Sequence, residues 1–219
     1  LNHILSRYKF TIEENTPIEE DIALDPELLG MVFENLLAEL DPNLEQSVVN
    51  SIRRQTGSYY TPRKVIQEMV NESLYLYLMN YFKANHAVGD YQRKVHELIF
   101  NNHLIDADDI IFCHAVVDAL DSIRVLDPAC GSGAFPMGML HRMVEILKIV
   151  DNSNEYWLDK QLAKIEPLYR EEFKRELVSH MGDKDYIRKL GIIKNCIYGI
   201  DIQPLAIQIS KLRFFISLL

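Results

Sequence analysis

The chain has 219 residues, 48% of them hydrophobic, enough to bury a sizeable core as one domain or as a domain with a helical extension. Its 32 acidic residues outnumber 23 basic ones, for a formal net charge of −9, so these residues alone make a poor polyanion binder, which normally needs a basic footprint. The three cysteines, Cys113, Cys130 and Cys196, are odd in number and lack paired metal-ligand spacing, which argues against a disulfide framework and a zinc site.

At the start, Leu1-Asn2-His3-Ile4 has no basic flank leading into an apolar core, and no apolar run anywhere reaches membrane-spanning length. A soluble, cytoplasmic protein with no membrane partner is the expectation. Residues 1–24 are acid-rich with few periodic apolar positions and read as an irregular lead-in. Asp25-Pro26-Glu27 supplies a helix cap, a proline at the first helical position and an acid in the first turn. Leu29, Val32, Phe33, Leu36, Leu37 and Leu40 continue it as an amphipathic packing helix ending at Asp41-Pro42. A second short helix is expected over 43–56, where Arg53-Arg54 is a compact basic pair of the kind that usually faces solvent.

Gly57-Ser58-Tyr59-Tyr60-Thr61-Pro62-Arg63-Lys64-Val65 follows. Thr61 suits an N-cap and Pro62 the first helical position, and Ile66, Met69, Val70 and Leu74 carry the helix on. Such an N-terminus can receive a carboxylate, although taken alone an ordinary capped helix is the plainer reading. The helix runs on to Asn85 through Leu76, Leu78, Met79, Tyr81 and Phe82, a surface wide enough to predict thorough burial. A turn over 86–90, a helix over 91–103 and another over 107–120 come next. Asp106 is the expected cap of the last, which presents Ile110, Ile111, Val117 and Leu120. His96, His103 and His114 share no ligand spacing and read as structural or surface residues, so no metal site is expected.

Val125-Leu126-Asp127-Pro128-Ala129-Cys130-Gly131-Ser132-Gly133-Ala134-Phe135 is the most informative stretch. A short apolar strand, expected over 124–128, gives way to glycines and then to a helix carrying Met139, Met143, Ile146, Leu147 and Val150 to an end near Asp151-Asn152. Gly131 and Gly133 allow positive φ and carry no Cβ, so backbone N–H groups can lie against a ligand at the helix N-terminus. The dinucleotide fingerprint fails, because Pro136 stands where its third glycine belongs. Cys130 follows Ala129 and not a proline, and reads as a small residue filling a crowded turn.

Residues 153–190 are dense in charge with interleaved Trp157, Leu158, Leu162 and Ile165, which predicts one or two exposed helices forming an insertion, with ion pairs such as Glu171 with Arg175. A second strand over 196–201 then ends in an acid, in Asn195-Cys196-Ile197-Tyr198-Gly199-Ile200-Asp201-Ile202-Gln203-Pro204. Asp201 can accept hydrogen bonds from both hydroxyls of a ribose, with Ile202 against an adenine ring. The plainer reading makes Asp201 a cap for the next helix. Asp201 lies 74 positions after Asp127, against about 20 in a simple nucleotide fold, and the charged insertion accounts for the excess. The closing helix, from Leu205 through Ile207, Ile209, Leu212, Phe214, Phe215 and Ile216, leaves almost no polar side and is expected to be buried all round.

Gly-x-Tyr-Tyr-Thr-Pro followed by Asp-Pro-Ala-Cys-Gly-Ser-Gly-Ala-Phe resembles the motif order of the large adenine-N6 DNA methyltransferases of type I and type IIG restriction-modification systems. The resemblance spans roughly residues 25–219, with motifs at 57–65, 125–135 and 197–204. It implies a class I, Rossmann-like α/β methyltransferase fold. Here that fold is truncated and mostly helical, with two parallel strands, an N-terminal helical region over 1–120 and the first part of the S-adenosylmethionine (SAM) domain over 121–219. It further implies SAM as cofactor. Tyr60 and Thr61 would touch the methionine end, Asp127, Pro128, Ala129, Cys130, Gly131 and Gly133 would form the loop, and Asp201 and Ile202 would take the adenosine. DNA is the implied partner, gripped through regions outside this chain, with a specificity subunit or domain.

In that family an Asn-Pro-Pro-Tyr motif accepts hydrogen bonds from the flipped base's amino group. Here no proline follows Asn or adjoins another proline, so no catalytic residue is assigned and the chain is expected to be inactive alone. Both ends read as cut. A methyltransferase for RNA, protein or a small molecule, and a non-enzymatic helical scaffold, are the alternatives.

Overall fold

The computed structural model describes residues 61–85, 89–104, 109–170 and 184–218. The helices expected over 29–40 and 43–56, Tyr60, the Asp106 cap and the Glu171–Arg175 pair lie outside them. Among the described residues the chain is mostly helical: α1 (Arg63–Ala84), α2 (Tyr91–Phe100), α3 (Ile110–Ser122), β1 (Val125–Asp127), α4 (Ala134–Val150), α5 (Glu155–Ala163), α6 (Lys184–Asn195), β2 (Ile197–Gly199) and α7 (Pro204–Ser217).

The two strands form a two-stranded sheet. Val125 N–H donates to Cys196 O at 2.8 Å and Ile200 N–H donates to Asp127 O at 2.9 Å, so partner numbers rise together along both strands and the pair is parallel, as expected. Described residues group into two compact units. One holds Thr61–Pro62, Asp127–Met137 and the segment from Gly199 onward; the other holds Arg63–Leu126 and Gly138–Tyr198.

In the second unit α1 buries Ile66, Val70, Leu74, Leu78 and Phe82. These lie at strict four-residue steps, which keeps them in one narrow stripe. The wide burial expected from composition is therefore corrected: Val65, Met69 and Leu76 on the other faces are exposed. Tyr77 reaches α3, its hydroxyl donating to Ala119 O at 3.0 Å, and Phe82 stacks on Phe112 with centroids 5.3 Å apart.

Helix α3 starts later than the sequence suggests, capped by Asp109. Its carboxylate accepts the Phe112 N–H at 3.0 Å and the Lys94 ammonium at 2.6 Å, and the Lys94 bond, followed by that N–H, holds its pKa below the ordinary aspartate value. Ile110 and Ile111, expected in the core, fall in the exposed first turn, while Val117 and Leu120 are buried as expected, joined by Phe112, Cys113, Val116 and Ala119.

Helix α4 presents Met139, Met143, Ile146, Leu147 and Val150 inward and ends where expected. Gly138 lets it approach α1: a Cβ there would stand 2.6 Å from Ile66 Cγ2 and 3.3 Å from Val70 Cγ2. Arg142 is buried and closes the C-terminal end of α2, donating to Leu98 O at 3.1 Å and Ile99 O at 2.6 Å, with Asn71 and Asn102 as further acceptors. It satisfies carbonyls that a helix end leaves without intrahelical partners.

The charged stretch after α4 is more firmly seated than a solvated insertion. Trp157 is fully buried, and Gly191 of α6 brings its backbone close, since a Cβ there would stand 3.0 Å from Trp157 Cζ2. Gln161 and Lys164 both donate to Asp121 on α3, at 2.8 and 2.5 Å, and Lys160 pairs with Asp118 at 2.6 Å. The charges are spaced to fasten α5 to α3, while Leu168 and Tyr169 beyond it are exposed. No helix among the described residues is long and apolar enough to cross a membrane.

Candidate functional site

Two parallel strands of three residues each end side by side, one in Asp127 and the other two residues short of Asp201. Between Asp127 and α4 the chain turns through Pro128–Gly133. Nearly every N–H in that turn has a protein acceptor: Ala129 donates to Asp127 Oδ1 (3.1 Å), Cys130 to Ile200 O (3.0 Å), Gly131 to Asp201 Oδ2 (2.8 Å) and Gly133 to Cys130 O (2.8 Å). The expectation that this loop offers its N–H groups to a ligand is corrected at these four positions. Strand pairing is the cause, because it sets Asp127 Oδ1, Ile200 O and Asp201 Oδ2 beside the loop as acceptors.

What the loop does offer is space. Gly131 has φ +54° and, its two chain neighbours aside, no described residue has an atom within 4 Å of where its Cβ would stand. Gly133 has φ +88°, and a Cβ there would stand 2.5 Å from Ser210 Oγ. Among the described residues the first glycine faces open space and the second faces α7. Both adopt the left-handed region that an L side chain enters only at a cost.

Asp201 engages a turn and the loop together. Its Oδ1 accepts the N–H of Gln203, the residue before α7, at 2.8 Å, so it closes the turn ahead of the helix without capping a helical N–H, and its Oδ2 holds the glycine loop. A carboxylate oxygen has two lone pairs, so each retains capacity for a hydroxyl donor. Ile202 beside it is 85% exposed. Pro128 and Ala129 are exposed and Asp127 is half-buried. Thr61 is half-buried two residues before α1 and falls in the same compact unit as the loop and Asp201. The structure thus brings Asp127 through Gly133 together with Asp201 by hydrogen bonds. It gives Thr61 no hydrogen bond to them.

Cys130 fills the turn as the sequence suggests. It is buried, and its Sγ would lie 2.9 Å from a Cβ placed on Gly199. Burial foremost, and the neighbouring Asp127 and Asp201 charges, push its thiol pKa up, so it stays protonated and is a poor nucleophile.

Sequence reasoning missed Arg213 and Ser210. Helix α7 is not buried all round: Leu205, Leu212 and Phe215 are exposed, and the buried face carries Ile209, Ser210, Arg213, Ile216 and Ser217. Arg213, 3% exposed, donates from Nη1 to Ser132 O at 2.8 Å, with Ser132 Oγ at 3.5 Å. The available signal was the three- and four-residue spacing of Ser210, Arg213 and Ser217, a polar stripe hidden among more numerous apolar residues.

Over 220 aligned residues the chain is 30% identical to a Methanocaldococcus jannaschii protein that carries the provisional name of type II restriction enzyme and methyltransferase. The likeness is to a restriction-modification methyltransferase. The alignment covers 99% of this chain and 16% of that relative, so the chain spans about a sixth of the length of the protein it matches. No family model matches the chain, and no solved structure does.

Proposed function

We propose that these residues form the cofactor-binding part of a SAM-dependent, adenine-N6-specific DNA methyltransferase of the restriction-modification kind, built on a class I, Rossmann-like fold. The observation that carries this reading is the hydrogen bond from Gly131 N–H to Asp201, which joins two motifs 70 positions apart beside an open glycine edge and the exposed Ile202. A nucleoside fits such a place. The free lone pairs of Asp201 suit ribose hydroxyls, Ile202 suits the flat adenine face, and Gly131 admits the ligand where a side chain would stand. Asp127, Pro128, Ala129, Cys130 and Gly133 shape the loop, and Tyr60 and Thr61 take the methionine end. Bound SAM supplies an electrophilic methyl group. The acceptors that orient a flipped adenine amine are not among these 219 residues, so they, and most of the grip on DNA, come from elsewhere in the working enzyme.

Titration calorimetry of SAM into the 219-residue chain tests this. Saturable binding is expected, weakened about tenfold or more by Asp201→Ala, since a hydrogen bond to a charged group contributes about 1.5–3 kcal/mol. An Asp201→Ala chain that binds SAM as tightly as the unaltered one would overturn the assignment.

A further inference from the structure

Besides the Asp201 bond, helix α7 meets the glycine loop at two points: a Cβ on Gly133 would stand 2.5 Å from Ser210 Oγ, and the Ser132 carbonyl accepts from the buried Arg213. A guanidinium is costly to bury unless it donates to well-placed acceptors, and a lysine could not reproduce its planar fork. On a helix that leaves Leu205, Leu212 and Phe215 in solvent, this arginine is turned inward toward a loop carbonyl. We propose that Arg213 is a positioning residue for the loop. By holding the Ser132 carbonyl toward α7 it fixes the peptide orientations that keep Gly131 and Gly133 at positive φ, and so keeps the Gly131 edge open before any ligand arrives. Pre-ordering of this kind strengthens binding because the ordering cost is already met in the free protein. The proposal rests on the SAM-binding reading only for what the loop receives; the bracing itself is a property of the free chain.

Native-state hydrogen exchange followed by amide NMR separates the two. In the unaltered chain without ligand, Gly131 and Gly133 amides are expected to exchange nearly as slowly as those in the middle of α7. In Arg213→Met they should exchange at least tenfold faster while α2 amides are unchanged, and the dissociation constant for S-adenosylhomocysteine should rise about tenfold or more. Arg213→Lys should restore little of either. If the unaltered chain shows the loop bracing but binds no S-adenosylhomocysteine, the cofactor reading fails and the brace stands. Gly131 and Gly133 amides that exchange like an unrestrained loop in the unaltered chain would overturn the brace whether or not Arg213→Met folds, as would a folded Arg213→Met with unchanged loop exchange.

Discussion

At the scale of single residues, burial decides which groups keep their protons. Cys196, the residue before β2, is fully buried, and burial, its largest perturbation, pushes the thiol up to about 11. An unfolded thiol titrates near about 8.5. Between those values the unfolded chain has released a proton that the native chain keeps, so this group's contribution to stability falls as pH rises through that window. The melting temperature is therefore expected to drop more between pH 8 and pH 10.5 in the unaltered chain than in Cys196→Ser; parallel pH dependences by scanning calorimetry would contradict it. Asp201 shows what residue types reveal and what they hide. An acid following the second strand was readable from Ile200-Asp201-Ile202, although the strand itself stops at Gly199, and its hold on Gly131 was not, because a hydrogen bond between residues 70 positions apart depends on strand register, which no local pattern encodes.

At the scale of elements, helix existence was readable and the width of the buried face was not. Periodicity found α1, α3, α4 and α7, yet in three of these four some of the apolar residues expected inside are exposed. In α3 these are Ile110 and Ile111 in the first turn after the Asp109 cap; in α7 Arg213 and two serines take part of the buried side. Apolar residues outnumber the places available to them, so an all-apolar helix pattern leaves the choice of face to its partners. Close approach at Gly138 gives a test of packing. Gly138→Val would drive a methyl into Ile66, a clash expected to cost about 1–3 kcal/mol, which exceeds the few tenths that helix propensity returns. Denaturant unfolding should show that loss, and Ile66→Ala/Gly138→Val should be more stable than the two single losses added together. Strict additivity would mean the two residues do not touch.

At the scale of the whole molecule, net charge and the missing amine-acceptor motif agree. A chain of net charge −9 with no Asn-Pro-Pro-Tyr-type tetrapeptide is expected to transfer no labelled methyl group from SAM to unmethylated DNA by itself. Incorporation of label by the purified chain would show that another arrangement performs the chemistry. The Methanocaldococcus jannaschii relative is far longer, and this chain aligns with 16% of it. The most direct test of the central claim is a titration of the chain with SAM followed by amide NMR. Saturable shifts are predicted at Gly131, Ser132, Gly133, Ile202 and Gln203, with α2 unaffected; a spectrum in which those five amides do not move at millimolar SAM would contradict the account.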